Sequence, residues 1–127
     1  MKNKPIPVLL SMLLCQRVEN HVAGCYTLHG VRHIFIEEEY PVYFQGCLSL
    51  LLTEVLDGTR LRIEVVDAET ETVGLWSDDH VIEALSPVNV VNYTIHLPDF
   101  ELPKEGKYII RLFCGEEILG QLPLVAM

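Results

Sequence analysis

The 127-residue chain has no cluster of basic residues: nine lysines and arginines lie singly or in pairs against 18 acids, for a formal net charge of −9. A nucleic-acid surface must present clustered Lys and Arg to displace counterions, and anionic lipid needs the same. Neither nucleic acid nor membrane is therefore expected as a partner. No apolar run approaches the roughly 18 residues of a membrane helix. Glycine and proline, eight and seven residues, are ordinary in number, while hydrophobic residues make up 50% of the chain. That balance excludes disordered and fibrous classes. There is no strand-helix-strand rhythm, so a parallel nucleotide-binding sheet is excluded. Repeats, linkers and low-complexity segments are missing too. Helix signals are scarce, and His80 to Leu85 reads equally as a helical turn or a strand.

What is present is alternation. Leu61, Ile63 and Val65 alternate with Arg60, Arg62 and Glu64, the period-2 pattern of a strand with one buried face. Tyr43 to Glu54 puts Phe44, Leu48, Leu50 and Leu52 on one face and Tyr43, Gln45, Ser49 and Thr53 on the other, with Cys47 and Leu51 as apolar exceptions. Asn89 to Leu97 turns Val91, Tyr93, Ile95 and Leu97 inward and Asn92, Thr94 and His96 outward. Val8 to Cys15, Tyr26 to Ile36 and Tyr108 to Cys114 are further strands, the last turning at Gly115 to Glu117 into Ile118 to Val125. Turn signals at Gly24, Pro41, Asp57-Gly58, Asp67 to Glu71, Ser86-Pro87, Pro98-Asp99 and Pro103 to Gly106 separate them.

Seven to eight short strands in one domain spanning residues 1–127 predict an all-β, antiparallel Greek-key β-sandwich. Gly106-Lys107-Tyr108, opening an apolar strand, matches the tyrosine corner of such sandwiches, in which the Tyr hydroxyl bonds back to nearby backbone. Ile110 stands where an immunoglobulin domain has its second Cys, so the expectation is the architecture and not that family. Markers in order then resemble an uncharacterised family of short bacterial β-sandwich proteins, a domain of unknown function. They are Leu13-Leu14-Cys15 with Val18, Gly24, Leu28 with Gly30-Val31, Pro41, Val65-Val66-Asp67, Leu97-Pro98, Leu102-Pro103, Gly106 and Tyr108. The resemblance implies a fold and no reaction.

Lys2 and Lys4 before an apolar stretch ending Leu14-Cys15 imitate a secretory leader. Pro5 and Pro7 interrupt it, and Leu14 is too bulky for cleavage before Cys15, so the expectation is a first strand and a cytoplasmic protein. Four cysteines (Cys15, Cys25, Cys47, Cys114) permit two disulfides. A core this size needs no staples, so free thiols are expected.

Ten acids between Ile63 and Glu105 face Lys104 alone, so the net charge concentrates in this stretch. Ser77-Asp78-Asp79-His80 gathers a hydroxyl, two carboxylates and an imidazole, but neighbouring residues rarely converge into a triad and no Gly-x-Ser-x-Gly elbow surrounds Ser77. Asp57, Asp67, Asp78, Asp79 and Asp99 are the acids available to a calcium site built from loops, calcium taking six to eight oxygens. His29 and His33, four apart on one strand, would lie about 13 Å from each other. A zinc site there needs a residue such as His96 or Cys47 from a partner strand. His21 with Cys25 is a conceivable thiol and base pair. Glu37-Glu38-Glu39 reads as a solvated run.

No catalytic residue and no cofactor is assigned. Asp78, Asp79 and His80 are the metal candidates, with calcium or zinc the ion considered. The expected function is a non-enzymatic protein-binding or self-assembling module, with a protein partner or a homo-oligomer. Its alternative is a metal-dependent ligand-binding domain or small enzyme using the acidic loops.

Overall fold

The structure is a computed structural model and describes residues 6–71, 73–76, 80–83 and 90–127. The described residues form eleven strands and no helix. They are β1 (Val8–Cys15), β2 (Arg17–Asn20), β3 (Tyr26–His29), β4 (Ile34–Phe35), β5 (Val42–Thr53), β6 (Thr59–Asp67), β7 (Val73–Trp76), β8 (His80–Ile82), β9 (Val91–Leu102), β10 (Gly106–Cys114) and β11 (Glu117–Ala126). One sheet has the order β1-β5-β9, a second the order β4-β11-β10-β6-β7, and β2 with β3 makes a separate hairpin. β8 pairs with the first residues of β6, beside the stretch that β7 covers. Every pairing is antiparallel except β4 with β11.

The alternation explains which faces meet. Leu61, Ile63 and Val65 of β6, Leu48, Leu50 and Leu52 of β5, and Ile110 and Leu112 of β10 all enter one buried cluster. Two sheets therefore share a single core, completed by Phe35, Phe44 and Phe100. The Phe35 and Phe44 rings meet edge to face at 5.4 Å, a geometry that places positive ring edges on a negative face. Outside the core the Arg62 guanidinium lies 4.4 Å from the centre of the Phe113 ring, so this cation of β6 lies along aromatic surface.

Eleven strands replace the expected seven to eight: the single strand expected from Tyr26 to Ile36 is two, and Arg17–Asn20 and Val73–Trp76 add two more. Gly30 has φ of 67°, a left-handed conformation that ends β3. A Cβ there would meet the Gln16 side chain at 2.7 Å. His33 then leaves the ladder, and Ile34–Phe35 restart as β4 in the other sheet. The polar segment Arg17–Asn20, which has no apolar alternation, pairs with β3. β9 runs past Pro98, where its pairing with β5 shifts register between Phe44 and Gly46. A bulge accommodates a residue with no N–H to give.

The tyrosine corner forms as expected. The buried Tyr108 donates its hydroxyl to the Lys104 carbonyl at 2.7 Å and accepts from the Lys104 N–H at 3.3 Å. No helix among the described residues is long and apolar enough to cross a membrane.

Candidate functional site

Side chains of β5 that point away from the core begin the site. Cys47 and Ser49 have this parity, yet both are buried. Their cover is the β2–β3 hairpin, which leaves β1 at Cys15 and returns over the outer face of the first sheet. The Gln16 N–H donates to the His29 carbonyl at 2.9 Å, and the Gln16 carbonyl lies 3.8 Å from Cys47 Sγ. The apolar exceptions in the β5 pattern thus mark the area under the hairpin.

Register sets three reactive side chains in a row across this sheet. Cys15 of β1 is directly opposite Cys47 of β5, and Cys47 is directly opposite His96 of β9. Opposed residues of an antiparallel pair share a face. Cys47 Sγ lies 3.5 Å from His96 Nδ1. Both thiols are buried while the His96 residue is exposed, so the row runs from the protein interior to water. Burial pushes the Cys15 thiol above its ordinary range, and the neighbouring Cys47 pushes it further. Burial likewise raises Cys47, partly offset by a hydrogen bond from the Val18 backbone. Beside the row, Asn92 donates to the Leu50 carbonyl at 3.2 Å and to Ser49 Oγ at 3.4 Å. An open groove of about 650 Å³ follows, between the hairpin turn (Asn20 to Tyr26) and Leu51, Val90 and Asn92.

The family's profile matches residues 10–127, from within β1 to the end of β11 and with it the Cys15–Cys47–His96 row. The chain belongs to DUF6941, a family of unknown function. A search of curated proteins finds no match to this DUF6941 chain. Among solved structures it is similar to the crystal structure of an immunoglobulin-like protein from Pseudomonas aeruginosa. The identity is 12% and the TM-score 0.47, over 97% of this chain and 98% of the other.

The residues expected to carry chemistry in this DUF6941 member are dispersed. Asp78 and Asp79, with Ser77, lie outside the described residues. His80 begins β8 and pairs with Leu61, a strand position rather than a loop. Asp57 precedes β6 and Asp67 ends it, at opposite ends of a strand about 26 Å long, so one ion cannot take both. Asp67 Oδ1 instead accepts the backbone N–H of Glu69 at 2.9 Å, and its Oδ2 lies 3.9 Å from Lys104 Nζ. Asp99 lies within β9. Among the described residues no group of three or more His, Cys, Asp or Glu is placed to hold a metal ion.

His29 and His33 do not share a strand. His29 donates from Nε2 to Glu19 Oε1 at 2.7 Å across the hairpin. His21 shares a hydrogen bond with Thr27 Oγ1 at 2.9 Å, and its link to Cys25 is through backbone, the His21 N–H donating to the Cys25 carbonyl at 3.0 Å. Glu37 of the acidic run lies 3.9 Å from Arg32. His96 and Cys47, each considered as a partner for a hairpin histidine, meet one another instead. No motif announces the pairing of Cys15 with Cys47, because it exists only in the β1–β5 register.

Proposed function

We propose that this chain is a non-enzymatic protein-binding module, a cytoplasmic β-sandwich of Greek-key connectivity, whose contact edge is β1 and whose first partner is a second copy. One observation carries the reading. β1 pairs only with β5 among the described residues, contains no charged residue, and leaves Val8, Leu10 and Leu13 exposed at 43%, 51% and 39%. Edge strands of soluble proteins are usually blunted by charge, proline or shortness. β9, the other edge of that sheet, has Pro98, Asp99 and Glu101, and β4 has two residues. An uncharged strand can pair with its own copy about a two-fold axis, and it adds no like-charge repulsion at the contact to a molecule of net charge −9.

The test is native mass spectrometry of untagged protein purified gently from its own host. A multiple of 14.4 kDa that reverts to the single mass in Leu10→Lys is the expected outcome. A discrete complex with a different protein, lost in the same variant, would keep the edge and replace the copy. A bare monomer carrying a stoichiometric metal or small molecule would overturn the reading in favour of the acidic loops.

A further inference from the structure

We propose that Cys15, Cys47 and His96 form a thiol–disulfide exchange site that takes small-molecule disulfides. The row has the three parts such chemistry uses. Cys47 stands in the middle. On one side His96 Nδ1, 3.5 Å from Cys47 Sγ, accepts its proton and passes it to water through an exposed ring. On the other side Cys15 is opposed to Cys47 in the ladder. Opposed residues of an antiparallel pair have Cα atoms about 4.5–5.5 Å apart, inside the range of about 4.4–6.8 Å that a disulfide bridges. All four cysteines are free. Neither Cys25, exposed in the hairpin turn, nor Cys114, at the end of β10, has a cysteine opposite it: Cys25 lies outside the β2–β3 ladder, and Cys114 faces Glu117.

The exchange proceeds in two displacements. The Cys47 proton moves to His96, and the thiolate attacks one sulfur of R–S–S–R. The Cys47–sulfur bond forms, the S–S bond of the reagent breaks, and RS⁻ leaves with the proton from His96. Cys15 then attacks Cys47 Sγ: the Cys15–Cys47 bond forms, the bond from Cys47 Sγ to the second R–S sulfur breaks, and that sulfur leaves as RSH with the Cys15 proton. Two protein thiols are oxidised to one disulfide, and the small disulfide is reduced to two thiols. The lid over the row is the β2–β3 hairpin, whose two strands pair only with each other among the described residues. An element held by few ladder bonds opens locally without global unfolding, which admits the reagent.

The experiment uses the full chain carrying Cys25→Ser and Cys114→Ser, incubated in oxidised and reduced glutathione at fixed ratios and read by intact mass and peptide mapping. The expected product has lost two hydrogens, retains no glutathione, and joins the Cys15 and Cys47 peptides. Adding Cys15→Ser should arrest the reaction with one glutathione on Cys47. His96→Gln should slow bridging by about tenfold or more, while circular dichroism and the melting curve of the reduced form stay those of the parent. His96→Asn serves in its place if the Gln variant does not fold. Two free thiols at every ratio, or a glutathione adduct that Cys15 never resolves, would overturn the proposal. Bridging at an unchanged rate without His96 would remove the base from it. None of these readouts depends on the oligomeric state, so the site and the β1 edge fail separately.

Discussion

Tyr108 carries a constraint out of proportion to one hydroxyl, because its oxygen serves both backbone groups of Lys104. Tyr108→Phe keeps the ring in the core but leaves a carbonyl and an N–H short of a partner, a loss of about 1–2 kcal/mol that urea unfolding should read as a lower midpoint at an unchanged slope. Three thiols, two buried and one half-buried, give the residue scale its pH dependence. Cys15, Cys47 and Cys114 are all raised above an ordinary value of 9.0 by burial. Below about pH 9 the thiols are protonated in folded and unfolded chains alike, and this stabilising term is fully present. Above it the unfolded chain releases protons that the folded chain retains, so stability falls as pH rises. Melting temperatures measured from pH 7 to 10.5 should decline at the alkaline end, and replacing the three thiols by Ser should flatten that decline.

At the scale of elements, the sequence made visible what depends on neighbours along the chain. β1 matches its expected bounds, and β5, β6, β10 and β11 match theirs to within a residue or two. Their alternation is dictated by one core. The tyrosine corner was legible for the same reason, since the hydroxyl and its target are four residues apart. The β2–β3 hairpin was not, because Arg17–Asn20 is polar and its partner strand was absorbed into a longer apolar stretch. The Cys15–Cys47–His96 row was illegible in principle: adjacency there is created by two strand registers, and a shift of one residue would send each side chain to the opposite face. Gly30 is the hinge of that difference. Gly30→Ala forces a Cβ into the left-handed region and against Gln16, at a cost of about 1–2 kcal/mol. Proteolysis should then cut the hairpin faster while hydrogen exchange in β6 and β10 is unchanged.

For the whole molecule, charge and topology divide the labour. Acids crowd the stretch from β6 to the turn before β10, whereas β1 has none, so repulsion between copies is weakest along this edge strand of the first sheet. The segment from β1 to β4 also supplies an edge to each sheet, β1 beside β5 and β4 beside β11. Ile34 pairs with Val125 and Phe35 with Ala126, and the Met127 N–H donates to the Phe35 carbonyl at 2.8 Å. The last strand is thus joined to a short strand in the first third of the chain by the one parallel pairing among the described residues. The consequence is kinetic. The β10–β11 hairpin closes over the two-residue turn Gly115-Glu116 and assembles early, but the second sheet is unfinished until residues separated by most of the polypeptide find each other. Chain-distant pairing of this kind places refolding in the millisecond-to-second range. In stopped-flow experiments, substitutions in β4 such as Phe35→Leu should therefore slow folding and change the unfolding rate less.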